Sequence, residues 1–172
     1  GEGVDYNLYR YCGNNPINCV DPLGLELIIK DPKLGGAKDF LKKHPILKDV
    51  IDFLDKSKIK IVVRKRKLCK GRLGNTSATV SRAKGSRDWR ITGDVEIDID
   101  IDQANGAKFD LREALSHELQ HAEDVIKAPT LARFINASGS HDRKDASELG
   151  AYFTSDSVHR WLQDINNGII HP

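Results

Sequence analysis

Hydrophobic and polar residues alternate most regularly between residues 94 and 102. Val95, Ile97, Ile99 and Ile101 are separated by acidic residues throughout this segment. Because successive side chains of a strand point to opposite faces, the alternation predicts a strand with one buried face and one acidic face. We expect the acidic face to be solvated and to oppose aggregation, since a straight row of carboxylates does not surround a Ca²⁺ ion.

Other segments carry shorter strand patterns and longer helical ones. The β-branched run at residues 59–64 predicts a second strand, and the runs at 27–29 and 76–81 predict two more. Apolar residues recur with helical spacing at about 37–54, 110–126 and 145–164. Early strands followed by late helices predict an α+β domain, with an antiparallel-rich sheet packed on a motif-bearing helix and a second, C-terminal helix.

Length and composition restrict the class of protein. The chain has 172 residues, of which 39% are hydrophobic and 30% charged, which is enough for one domain with its own core. No apolar run approaches the roughly 20 residues that a bilayer requires, so no membrane span is expected. The three cysteines lack metal-ligand spacing and do not suggest a disulfide framework. Met is absent, and we therefore expect a fragment of a longer chain.

The candidate chemistry is concentrated in the HExxH motif of residues 117–121. Two imidazoles at positions i and i+4 face the same side of a helix and can both bind zinc, while the intervening Glu activates the zinc-bound water. At 100° per residue, His121 lies about 40° from His117 around the helix axis. The motif therefore predicts His117 and His121 as zinc ligands and Glu118 as the general base.

A catalytic zinc takes three protein ligands and keeps a fourth position open, so a third ligand must come from elsewhere. Asp124 and Lys127 stand where the longer HExxHxxGxxH motif has Gly and His, which excludes that form. We favour Glu148, because it lies on the predicted C-terminal helix, one connection after the motif. Asp145 and His141 are the alternatives.

Four further residues are candidates for supporting roles. Tyr152 follows Glu148 by one helical turn and could donate to the oxyanion of a tetrahedral intermediate. His159 lies on the same stripe, two turns farther along. Asp110 and Asp124 flank the His face of the motif helix, where either could accept an imidazole N–H and orient the ring.

The motif together with Glu148 resembles the gluzincin metallopeptidases, and residues 117–122 are similar to small effector-type metallopeptidases of bacteria. The resemblance is confined to these motifs. It implies a small zincin-like domain with a zinc cofactor that hydrolyses peptide bonds of a protein substrate.

The first 25 residues resemble the end of the core of Rhs-repeat proteins, bacterial polymorphic toxins whose β-cage encloses a variable C-terminal toxin. The resemblance is carried by NLYRY at 7–11, GNNP at 13–16 and DPLGL at 21–25. It implies that residues 1–25 end the Rhs core and that residues 26–172 are the toxin domain.

The same resemblance implies processing, partners and location. The family cleaves itself with aspartyl-type chemistry after the last Leu of this motif, which places Asp21 at the motif Asp and the cut between Leu25 and Glu26. The implied partners are the Rhs core cage, a cognate immunity protein and a protein substrate in the target cell. The implied protein is a secreted effector of interbacterial competition that is delivered into the target-cell cytoplasm.

Charge is segregated along the chain. Residues 56–90 hold 13 Lys or Arg and one acid, whereas residues 94–124 hold 10 acids and two basic residues. The basic segment offers the main alternative function, a nucleic-acid-targeting toxin such as a nuclease. Trp89 is its only aromatic residue, so a solvated face or a docking surface for an acidic partner is the favoured interpretation. A third hypothesis is an inactive binding module that retains the HExxH motif.

Overall fold

The computed structural model describes residues 27–82, 84–86, 88–106, 110–131 and 146–171. Their elements follow in the order β1 (Leu27–Ile29), α1 (Pro32–Leu41), α2 (Pro45–Asp55), β2 (Ile61–Lys65), β3 (Gly74–Arg82), β4 (Trp89–Ile99), α3 (Ile101–Gly106), α4 (Leu111–Lys127), a short 3-10 helix (Pro129–Leu131) and α5 (Ala146–Asn166). The predicted α+β class is confirmed. None of the helices in these ranges has the length and apolar character needed to cross a membrane.

Five residues considered above lie outside the described ranges. They are the three residues of the expected processing site and the two alternative metal ligands, namely Asp21, Leu25, Glu26, His141 and Asp145.

The four strands form one sheet in the order β1-β2-β4-β3. β2 pairs in parallel with both β1 and β4, whereas β3 is antiparallel to β4. The sheet is therefore mixed, where the sequence predicted an antiparallel-rich one. The connection from β1 to β2 contains α1 and α2, which makes it long enough to return the chain for a parallel pairing. β3 forms a hairpin with β4 and lies at the outer edge of the described sheet.

The helical stretch predicted at 37–54 is two helices, α1 and α2. Pro45 has no backbone N–H and cannot continue α1, but it suits the first position of a new helix. His44 caps that helix, since its Nδ1 accepts the N–H groups of Ile46 and Leu47 at 3.3 and 3.4 Å. Burial lowers the pKa of His44, which favours the neutral imidazole that these hydrogen bonds require.

The core lies between one face of the sheet and the helices α1, α2, α4 and α5. Val95, Ile97 and Ile99 are fully buried in it, as the alternation predicted. Asp100 ends the strand because its carboxylate accepts the backbone N–H of Gln103 and so starts α3. Hydrogen bonds from Gln103 and from the backbone N–H of Leu68, in the loop between β2 and β3, lower the pKa of Asp100 to about 2.

The other face of β4 is acidic, as predicted, but it is only partly solvated: the side chains of Asp94 and Glu96 are 42% and 41% exposed, whereas Asp98 is buried. Asp98 is only 3% exposed and pairs with Arg64 at 2.6 Å and with Arg66 at 3.0 Å. The Arg64 guanidinium also donates to both carboxylate oxygens of Glu96. The parallel register of β2 and β4 places Arg64 beside Asp98, so the basic and acidic segments neutralise each other across the sheet.

Candidate metal centre

The HExxH motif lies in the middle of α4. Asp110 caps this helix, since its carboxylate accepts the backbone N–H of Arg112 and pairs with the Arg112 guanidinium. Leu115 and Leu119 anchor one face of α4 in the core. Asp110 therefore serves the start of the helix, and its described contacts do not include the imidazole for which the sequence made it a candidate.

Three side chains with metal-ligating atoms converge between α4 and α5. His117 Nε2 and His121 Nε2 lie 3.1 Å apart. Glu148 places one carboxylate oxygen 3.5 Å from His117 Nε2 and the other 3.4 Å from His121 Nε2. The structure thus brings together the three residues that the sequence predicted as ligands, although 26 residues separate His121 from Glu148 in the chain.

The spacing of these atoms suits a tetrahedral metal ion. With metal–ligand bonds of about 2.0–2.2 Å, two ligand atoms of a tetrahedral site lie about 3.3–3.6 Å apart. The His117–His121 separation of 3.1 Å is close to that range. Glu148 approaches the two imidazoles with different oxygens, at 3.5 and 3.4 Å, and one ligand atom from each of the three residues lies within 4.8 Å of the other two. Two imidazoles and a carboxylate are a donor set typical of catalytic zinc, and three protein ligands leave a fourth position open. The group therefore fits a zinc ion.

The electrostatic surroundings of the motif favour a cation. Burial disfavours the charged form of His121, but the hydrogen bond with Glu148 and the negative charges of Glu118, Glu148 and Asp124 outweigh it and raise the pKa of His121. Several carboxylates thus act on one buried imidazole. A divalent cation at this position would relieve their mutual repulsion.

Glu118 points from α4 toward the edge strand β3. It is only 3% exposed, and its Oε2 accepts a hydrogen bond of 2.6 Å from the Thr76 hydroxyl. Gly74 passes so close that a Cβ at that position would lie 2.5 Å from Glu118 Oε1 and Cγ. β3 therefore holds the carboxylate in one place, and the absence of a side chain at Gly74 provides the room.

These two contacts were not predicted from the sequence. Gly74 and Thr76 lie more than 40 residues from the motif, and neither belongs to a spacing pattern that points to it. A Gly inside a strand often marks the close approach of another group, but Gly74 lies outside the strand predicted at 76–81 and is the first residue of β3, so this signal was not visible in the sequence.

We expect Thr76→Val to lower activity without unfolding the protein. Valine keeps the volume of threonine but leaves the buried Glu118 carboxylate without its donor, a loss of about 1–3 kcal/mol. Thr76→Ser keeps the hydroxyl and should retain most activity, which makes it the matched control. Circular dichroism and zinc content verify fold and metal in both variants, and equal activity of the Val and Ser variants would contradict a positioning role for Thr76.

A hydrogen bond between Thr154 and Gln120, which the sequence also did not predict, joins α5 to α4. The Thr154 hydroxyl donates to Gln120 Oε1 at 3.0 Å, while the Gln120 amide donates to Glu123 and Asp124 at 2.9 and 3.0 Å. Gln120 is a variable position of the motif, so the motif itself does not indicate this role. The hydrogen bond keeps α5 beside the part of α4 that carries the motif, and it thereby helps to position Glu148.

The remaining candidates divide between the site and its surroundings. The Tyr152 ring lies edge-on to His117, with 5.0 Å between ring centroids, so Tyr152 borders the three-residue group. His159 instead pairs with Glu113 near the start of α4, at 2.8 Å. Asp124 accepts from Gln120 and acts on His121 through its charge.

Most cations of β2 and its flanks are engaged by acids. Besides Arg64 and Arg66, Lys60 pairs with Asp94 at 2.9 Å and Lys65 pairs with Asp102 at 3.0 Å. The charge of these four side chains is therefore balanced by acids of the sheet and of α3.

Comparisons with protein-family models, with curated proteins and with solved structures find no match for this chain.

Proposed function

We propose that residues 26–172 form a zinc-dependent endopeptidase toxin that cleaves a protein of the target cell. The convergence of His117, His121 and Glu148 beside the buried carboxylate of Glu118 carries the proposal. Three ligands with an open fourth position and a neighbouring general base are what metal-assisted hydrolysis of a peptide bond requires.

The residues of the site take separate roles in the proposed reaction. His117, His121 and Glu148 hold the metal, which when bound polarises the peptide carbonyl and makes water more acidic. Glu118, held by Thr76, accepts the proton of the attacking water and passes it to the amide nitrogen that leaves. Tyr152 donates to the carbonyl oxygen as negative charge develops on it.

The wider biological context is also part of the proposal. Residues 1–25 are proposed to end an Rhs core that cleaves itself between Leu25 and Glu26 with Asp21 taking part. The freed domain is proposed to act as an effector in the target-cell cytoplasm and to be restrained in the producing cell by an immunity protein.

The nuclease alternative receives less support from the contacts. Its argument is the basic segment at 56–90, yet four of the 13 cations of that segment, those on β2 and its flanks, are paired with acids of β4 and α3. Paired cations offer little net charge to a phosphate backbone.

Metal analysis combined with an unbiased search for cleaved proteins tests the proposal. We expect purified protein to hold close to one zinc per chain and to generate new protein termini in a target-cell lysate. Removal of zinc by a chelator should stop the cleavage, and added zinc should restore it. A protein that binds no zinc, or whose cleavage ignores the chelator, would refute the metallopeptidase.

A further inference from the structure

The β3–β4 hairpin carries exposed cations at its far end. Arg82 pairs with Trp89 across the hairpin, and its guanidinium lies over the Trp89 ring, 5.3 Å from the centroid. Lys84 and Arg90 are exposed beside them. We call these four residues the cationic hairpin end.

Its cations differ from those of β2. Lys60, Arg64, Lys65 and Arg66 each have an acidic partner, whereas within the described residues no acid lies at ion-pair distance from the three cations of the hairpin end. Their charge is consequently available to a ligand, and the stacked Trp89 limits the freedom of Arg82.

The strand β3 connects the candidate site with the cationic hairpin end. Gly74 and Thr76 at the start of β3 contact Glu118, and the same strand continues past a register shift between Ala78 and Val80 to end at Arg82. Six residues at about 3.3 Å each place Arg82 roughly 20 Å from Thr76. β3 is the outermost strand of the described sheet, so an extended peptide can add along this edge.

We propose that the cationic hairpin end binds an acidic segment of the protein substrate about six residues from the bond that is cut. The inference rests on the proposed peptidase function and adds a substrate class to it. A peptide that extends along β3 advances at the same rise per residue as the strand, so an acidic side chain reaches Arg82 at that distance. Arg90, in the adjoining Ser81–Arg90 pair, adds positive charge at the same end of the hairpin. Guanidinium groups bind carboxylates with paired hydrogen bonds, which suits Asp or Glu at these positions.

Binding is measured first, by fluorescence anisotropy with protein that carries Glu118→Gln so that the probe survives. The probe is a labelled twelve-residue peptide with four Glu at one end, compared with its Gln analogue and with a single-stranded RNA oligonucleotide. The combined variant Arg82→Ala, Lys84→Ala and Arg90→Ala should bind the acidic peptide about tenfold more weakly or worse, since each exposed pair contributes up to about fivefold. The matched control, Lys30→Ala, Lys33→Ala and Lys58→Ala, removes the same charge elsewhere and should bind normally.

Cleavage is measured second, with the wild-type chain and a random peptide library whose products are sequenced. Asp and Glu should be enriched about six residues from the cut, and the combined variant should lose the enrichment while it still cuts. Cuts without the enrichment would overturn the inference and leave the peptidase intact. If the protein bound the acidic peptide but cut no peptide of the library, both the peptidase function and the substrate role of the hairpin end would be overturned. If the hairpin end instead bound RNA in preference to the acidic peptide, the inference would also be overturned, and the surface would be assigned to nucleic acid.

Discussion

Glu118→Gln is expected to abolish cleavage and toxicity while zinc and fold are retained. Glutamine has the size of glutamate, and its amide oxygen can still accept from Thr76, so the packing against Gly74 is preserved. What it loses is the ability to take a proton from water. Removal of a general base costs roughly 10²- to 10⁴-fold in rate, enough to eliminate toxicity in a growth assay.

The control for this variant comes from the same helix. Glu113 is also buried on α4, but it pairs with His159 and not with the three-residue group. Glu113→Gln should therefore keep its zinc and its toxicity. If a well-expressed, zinc-loaded Glu118→Gln protein remained fully toxic, the peptidase would be wrong, and the basic segment at 56–90 would become the candidate for the toxic activity.

The parts of the fold that follow from local periodicity could be predicted. The alternation in β4 and the helical spacing of α4 depend on residues near one another in the chain, and α4 appears where the sequence placed it. The strand predicted at 94–102 is correct only as far as Ile99: β4 begins earlier, at Trp89, and Ile101 belongs to α3 because Asp100 starts that helix. The triad of His117, His121 and Glu148 could be assembled for the same reason, because two members share a helix face and the third needs only one helix return.

Features that depend on distant residues could not be predicted. Strand order is decided by how connections pack, so the parallel pairing of β2 with β4 has no local signal. Because of that pairing, Arg64 and Asp98 form an ion pair in which the Asp98 side chain is buried, whereas the sequence placed both residues on solvated faces. The contact of Thr76 with Glu118 likewise exists only because the edge strand crosses the motif helix.

Glu148 is the ligand with the least support from the motif, and its replacement is expected to remove the metal. Glu148→Ala leaves two imidazoles from one helix, a set with too few protein donors for a catalytic zinc. Loss of an outer-shell partner of a metal ligand typically costs 10- to 100-fold in metal affinity, and loss of a direct ligand should cost more. His117→Ala and His121→Ala should show a loss of the same order, measured as zinc per chain after gel filtration.

Thermal unfolding distinguishes a ligand from a carboxylate that only packs. In the wild type the metal would join α4 to α5, so added zinc should raise the melting temperature according to its affinity for the folded state. Glu148→Ala should lose this dependence, while Asp156→Ala, which removes an exposed carboxylate from the same helix, should keep it. Zinc-dependent melting that survives in Glu148→Ala but disappears in Asp145→Ala or His141→Ala would move the third ligand to one of those residues. Such a result would leave the roles of His117, Glu118 and His121 unchanged, because all three lie on α4 and Glu118 is held by β3, not by α5.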